Sequence, residues 1–173
     1  MRKVILGVAV SLDGFIEGPN GEYDWCFIDQ DYGLSEFFKR VDAMFIGRKS
    51  YELMNNIGAD AVPGMPALTE YVFSNSLQRV KEGAFLINGD ITPKIQNIIN
   101  QPGKDIWLFG GSSVLTSLMN LGFVHEIWLS VHPMVLGSGK PLFNNIERRI
   151  DMELLHSKTY STGLVSLTYG VKY

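Results

Sequence analysis

The segment KVILGVAV, residues 3–10, is apolar at odd and even positions alike. A strand with one wet face alternates, so a strand apolar on both faces must be covered on both, inside a sheet flanked by helices. Four more strands follow: AMFIG (43–47), also buried, EYVFSNS (70–76), which stops in small polar residues, GAFLING (83–89) and DIWLFGG (105–111). Helical patterns lie among them. LSEFFKRVD (34–42) puts Leu34, Phe37, Phe38 and Val41 on one face, with Gly33 or Ser35 near its start, and RKSYELMNNIG (48–58) ends on a glycine. TPKIQNIINQPG (92–103) offers Thr92 as N-cap and Pro93 in the first turn. SSVLTSLMN (112–120) offers Ser112 or Ser113 as N-cap.

After residue 124 the helices stop. VHEIWLSVHPMVLG, MELLHSKTYST and LVSLTYGVKY read as strands, the last two forming an antiparallel hairpin. The expected fold is therefore α/β, a mostly parallel central sheet with helices on both faces and an antiparallel C-terminal hairpin. At 173 residues the chain fits one domain, 1–173. SLDGFIEGPNGEYDW (11–25) carries Asp-Gly, Gly-Pro and Asn-Gly, so a long loop is expected after the first strand.

Charge and cysteine usage exclude several classes. A net charge of −3 argues against a nucleic-acid binder, and no apolar stretch is long enough to span a membrane. Cys26 is the only cysteine, which excludes an intrachain disulfide and a cysteine-based zinc site and fits a reducing cytoplasm. Between Lys3 and Lys39 the chain has no lysine or arginine but seven carboxylates, from Asp13 to Glu36. That segment is expected to be a solvated acidic loop or a lid over a substrate pocket. His125, His132 and His156 are too scattered for a metal site, and His132-Pro133 reads as a strand end.

In open α/β sheets ligands bind at the carboxyl ends of strands. Four such ends here carry small or phosphate-friendly residues: VAVS (8–11), IGRKS (46–50), FSNS (73–76) and FGGSS (109–113). Two of them lead into helices, whose free N–H groups and dipole favour anions, and Arg48 and Lys49 add charge. The set suggests a ligand with several phosphates. LGSGKP is not a P-loop, and neither G-x-G-x-x-G nor G-x-S-x-G occurs where its mechanics require it.

The ordered series VAVSLDGFI, FIGRKSYE, YVFSNS, IWLFGGSSVLTSLM and EIWLSVHPMVLGSGKPLF resembles the dihydrofolate reductase superfamily over nearly the whole chain. Within it, SLDGFI and LGSGKPLF are similar to the reductase domain of the bifunctional riboflavin biosynthesis protein, while GRKSYE looks more like folate reductases. The resemblance implies NADPH in an extended pose. Ala9 and Ile16 would flank the nicotinamide, and Gly47, Arg48, Lys49 and Ser50 the adenosine phosphates. Ser74 and Asn75 would hold the 2′-phosphate, while Gly110, Gly111, Ser112 and Ser113 would cradle the diphosphate, with the Gly-Gly bond cis as in folate reductases.

The resemblance also implies hydride transfer to a small heterocycle, similar to 5-amino-6-(5-phosphoribosylamino)uracil reductase, in a cytoplasmic homodimer. Departures bear on the substrate: Leu34 stands where folate reductases carry a carboxylate, and Phe109 where the riboflavin-type enzyme has a glutamate. The zinc-ligand motifs of the deaminase partner domain are absent from this sequence. Asp13 is the candidate proton donor, or else an Asx turn before Gly14. Ser130 is the candidate substrate contact, or else a paired strand serine. Tyr23, Trp25 and Phe27 would stack on a flat ring or fasten the loop. Alternatives are a pterin or carbonyl reductase and a non-catalytic NADPH-binding module.

Overall fold

The computed structural model describes residues 1–58, 62 and 64–173. Elements run β1 (Val4–Ser11), β2 (Phe15–Glu17), α1 (Leu34–Arg40), β3 (Val41–Gly47), α2 (Arg48–Ile57), β4 (Thr69–Phe73) and β5 (Phe85–Ile87). They continue α3 (Thr92–Asn100), β6 (Asp105–Gly110), α4 (Ser112–Asn120), β7 (Glu126–His132), β8 (Lys140–Pro141), β9 (Asp151–Thr159) and β10 (Val165–Lys172). Eight strands form one sheet in the order β5-β4-β3-β6-β1-β7-β10-β9. Every pairing from β5 through β7 is parallel, and β10 is antiparallel to both β7 and β9. No described helix is long and apolar enough to cross a membrane.

The doubly apolar β1 lies inside the sheet, as its composition requires. Val4, Leu6 and Val10 face a core that includes Ile95, Ile98 and Ile99 of α3 and Leu115, Leu118 and Met119 of α4. Ile5 faces the opposite core with Phe37 and Phe38 of α1 and Tyr51 of α2. Helices α1 and α2 thus cover one face, α3 and α4 the other. Stripped of one layer, either face of β1 would expose an apolar row to water.

Three details differ from the sequence reading, and a fourth adds to it. The long loop contains β2, which pairs with β8 in a separate two-stranded antiparallel sheet; Glu17 and Lys140 close it with an ion pair of 3.1 Å. Thr92 is already helical, with Ile91 at the cap position, and its N–H donates to Asp90 Oδ1 at 3.1 Å. Neither Ser112 nor Ser113 caps α4; the N-cap is Gly111. Gly33 caps α1, and Asp31 does the side-chain work, accepting from the N–H groups of Gly33 (3.0 Å) and Ser35 (2.9 Å).

Candidate functional site

Topology selects the site. From β3 the chain runs through α2 to β4 on one side, whereas from β6 it runs through α4 to β7 on the other. Neighbouring strands whose connections diverge leave a crevice at their carboxyl ends. Here those ends are Gly47 and Gly110, and Ile46 pairs with Gly110 just past a register shift between Phe45 and Ile46.

Both helices that leave this crevice start without a side-chain cap. Their N-caps are the glycines Gly47 and Gly111, packed together: a Cβ on Gly47 would lie 3.1 Å from Val114 Cγ2 and 3.4 Å from the Gly111 nitrogen. Gly110 has φ +134°, open space where a side chain would sit, and a cis bond to Gly111. Ser50 lies beside this pair, its Oγ 3.7 Å from a Cβ built on Gly111. Two first turns with unclaimed N–H groups therefore open on one crevice, and Arg48 and Lys49 are exposed at its rim without an ion pair among the described residues. This is the local chemistry of an anion site.

Alongside runs a groove of about 370 Å³ lined by Ser74 and Asn75 after β4, Gly89 and Ile91 after β5, and Ser113 and Ser117 of α4. Ser74 Oγ accepts from the N–H of Leu77 at 3.0 Å, and Asn75 Oδ1 from the N–H of Gly89 at 3.0 Å, so the polar loop is preformed. The structure brings Ser74, Asn75 and Ser113 into one groove, next to Gly47–Ser50 and Gly110–Ser112. The crevice fits a phosphate-bearing cofactor in two ways. Bare backbone at Gly110 leaves room for close approach, and uncapped donors need acceptors.

Ala9 and Ser130 are register partners on β1 and β7, on the α1 side of the sheet. Phe109 of β6 packs into the core on that side, edge-on to Trp107 at 4.9 Å, and Leu34 packs there from α1. Ile16 packs instead against the α3/α4-side core. A second cavity, of about 440 Å³, lies farther along the α1 side over β7, β10 and β9, and none of the sequence-flagged site residues lines it.

Asp13 is engaged on all sides. Ser11 Oγ donates to Oδ1 at 2.6 Å, Leu136 N–H to Oδ1 at 3.1 Å and Gly137 N–H to Oδ2 at 2.8 Å. The Ser11 hydroxyl above all, with those backbone donors, holds its carboxyl below the usual range. These bonds also clamp residue 13 to residues 136–137. A similar balance operates at buried Glu126: burial pushes its carboxyl up, but hydrogen bonds from Lys3 (2.6 Å) and Arg40 (2.8 Å) outweigh it and lower it.

His132 ends β7, as the sequence leads one to expect, and also anchors the loop after β1. It is 2% exposed, its Nε2 accepts the N–H of Phe27 at 3.0 Å, and its Nδ1 lies 2.9 Å from the Ser130 carbonyl. One nitrogen accepting and the other donating requires the neutral ring. Trp25 and Phe27 pack edge-on against it at 5.3 and 4.9 Å, so the aromatic residues fasten the loop. Only the position of His132 at a strand end ahead of Pro133 hinted at this, because its partner lies 105 residues away. His132→Phe is expected to cost about 1–3 kcal/mol in chemical denaturation, since it orphans the Phe27 N–H.

The histidines also set an acid limit. Burial lowers His132, and burial followed by Lys3 lowers His125, whose Nδ1 accepts the Val4 N–H at 3.0 Å. Below the unfolded value of about 6.5 the unfolded chain takes protons first, so stability is full above it and is lost as the pH falls toward the lowered folded values. The denaturation midpoint is expected to drop between about pH 7 and about pH 5, less steeply in His132→Phe; a flat wild-type profile would contradict this.

The strand order of this sheet, parallel through β7 with β10 and β9 antiparallel at its edge, is that of the dihydrofolate reductase-like fold. An Enterococcus faecalis dihydrofolate reductase solved with NADP(H) has this fold: TM-score 0.70, 17% identity, 99% of this chain and 97% of that one covered. Residues 2–166 match the model of the RibD C-terminal domain, and the chain belongs to that family. It is 42% identical to the Bacillus subtilis (strain 168) protein YyaP, over 97% of this chain and 94% of that protein. It is 25% identical, with a TM-score of 0.85 and full coverage of both chains, to a Shewanella sp. PV-4 protein described as a riboflavin biosynthesis protein.

Proposed function

We propose that the chain is an NADPH-dependent reductase that passes hydride to a small heterocycle, similar to 5-amino-6-(5-phosphoribosylamino)uracil reductase. The observation that carries this reading is the meeting of two uncapped helix N-termini at Gly47 and Gly110–Gly111, beside Arg48 and Lys49, which have no ion pair among the described residues. In it, Gly47, Arg48, Lys49 and Ser50 hold the adenosine phosphates, Ser74 and Asn75 the 2′-phosphate, and Gly110, Gly111, Ser112 and Ser113 the diphosphate. The bound cofactor supplies the hydride.

The chain's own part is positioning and exclusion of water. Ala9 leaves room for a flat nicotinamide at the end of β1, and Ile16 bounds that end from β2. Leu34 and Phe109 give the substrate side an apolar wall, and Ser130 offers it one hydroxyl. The loop fastened by His132 and Asp13 shields the reacting atoms, which is what hydride transfer chiefly asks of a protein. Oxidation of NADPH followed with ribitylaminopyrimidines, pterins and small carbonyl compounds tests this. Turnover of at least one heterocycle is expected, and tight NADPH binding without any turnover would support the non-catalytic module instead.

A homodimer belongs to the same reading. Strand β9 is an open sheet edge with Leu154 and Leu155 each about half exposed, which favours contact with a second copy. A monomeric mass at micromolar concentration would contradict it.

A further inference from the structure

Helix α1 covers its side of the sheet as far as β7, where Phe37 packs on Trp128 at 4.7 Å, whereas on β9 His156 and Lys158 are exposed. His156 and Lys158 pair with Thr168 and Ser166 of β10, and these pair in turn with Trp128 and Ser130 of β7. Residues two apart on a strand share a face, so Trp128, Ser166, Thr168, His156 and Lys158 all point to the α1 side. The step from α1 down to β9 leaves the cavity of about 440 Å³, with Tyr32, Gly33 and Tyr160 at the end where β9 finishes.

The lining has an aromatic part and a basic part. Phe37 and Trp128 form an apolar surface, and Trp128 is fixed by the bond that its Nε1 donates to Ser166 Oγ at 2.7 Å. Tyr32 and Tyr160 meet edge-on at 5.0 Å. Lys39, Arg40 and Lys158 line the same cavity with one carboxylate, Glu36, which Lys39 engages at 2.5 Å. Arg40 is anchored to Glu126 (2.8 Å) and Asp105 (3.2 Å) through Nη2 alone, and neither carboxylate lines the cavity. Its Nε and Nη1 have no hydrogen-bond partner among the described residues. Lys158 has no ion pair among the described residues; its Nζ lies 4.7 Å from the Tyr160 ring centre, and neighbouring Asp31 is taken up by Gly33 and Ser35. Flat rings with unspent cations beside them are the two halves of a site for an aromatic anion, since rings stack and an arginine fork grips an oxyanion at two points.

We infer that this cavity is a second binding site, for a flat aromatic ring bearing an oxyanion, phosphate or carboxylate. The ring packs against Phe37 and Trp128, and the oxyanion draws on the basic rim of Lys39, Arg40 and Lys158. None of these residues belongs to the crevice at Gly47 and Gly110–Gly111, and none is assigned to the reacting side, so the inference stands apart from the reductase reading.

Calorimetric titration with naphthyl phosphate, naphthoate, naphthol and inorganic phosphate tests this. At least one of the two aromatic anions is expected to bind once per chain, at least about tenfold more tightly than naphthol or inorganic phosphate. The tighter of the two names the oxyanion. Joint Lys39→Glu and Lys158→Glu substitution, at two exposed side chains, should weaken that binding at least about tenfold and leave the circular dichroism spectrum unchanged. Arg48→Ala, at the cofactor crevice, should leave it as in wild type. Absence of saturable binding, equal binding of naphthol or inorganic phosphate, or binding that depends on Arg48 but not on Lys39 and Lys158 overturns the inference.

Discussion

Arg48→Ala is expected to weaken NADPH binding by about 1–3 kcal/mol, roughly five- to 150-fold in Kd, while NADH affinity changes much less. The guanidinium stands in the first turn of α2 without an ion pair among the described residues, so its removal breaks nothing within the fold. Whatever is lost is therefore binding. Of the adenosine phosphates assigned to Arg48, the doubly charged 2′-phosphate beside Ser74 and Asn75 gains most from a bidentate guanidinium, which is why the loss should fall on NADPH. Circular dichroism and the denaturation midpoint should match wild type. An equal loss for both cofactors would move Arg48 from the 2′-phosphate to the diphosphate.

Gly110→Ala is expected to be the more damaging substitution, lowering stability by about 1–3 kcal/mol and abolishing tight NADPH binding. Its φ of +134° is closed to side-chain-bearing residues, and the space beyond its Cα is the open crevice itself. A methyl group there would both strain the backbone and stand where the diphosphate is proposed to lie. Gly47→Ala differs, because its φ of −77° suits any residue and its added Cβ would press on Val114 and on the Gly111 nitrogen. Two glycines of one crevice thus fail for different reasons. The first loses stability through backbone strain, the second through packing against α4.

Much of this site could be read from residues alone because its signals are local. The doubly apolar KVILGVAV announced an interior strand, and β1 lies between β6 and β7. IGRKS and FGGSS announced strand ends running into helices, and those two ends are neighbours at the switch point. Nothing local, however, says that β3 and β6 are adjacent. That follows only from the diverging connections of the whole sheet.

What stayed hidden has a physical pattern. Serines before α4 looked like caps, yet the chain turns at the glycine pair and the helix begins one residue sooner, leaving its first N–H groups unclaimed. The β2–β8 pair is three residues against two, too short for any periodicity to show. His132 and Phe27 are joined across 105 residues, and Asp13 and Gly137 across 124, so the clamps on the acidic loop are visible only once the chain has folded. Asp13 looked like chemistry because it follows the first strand next to a glycine. Its hydrogen bonds to Ser11 and to the N–H groups of Leu136 and Gly137 add a clamp that no local pattern reports.

The central claim is that the crevice at Gly47 and Gly110–Gly111 takes a dinucleotide bearing a 2′-phosphate. It is tested most directly by titrating the wild-type protein in parallel with NADPH and NADH. Saturable binding of NADPH at least about tenfold tighter than that of NADH is the predicted result. Equal affinities for the two, or no saturable binding of either, would contradict it.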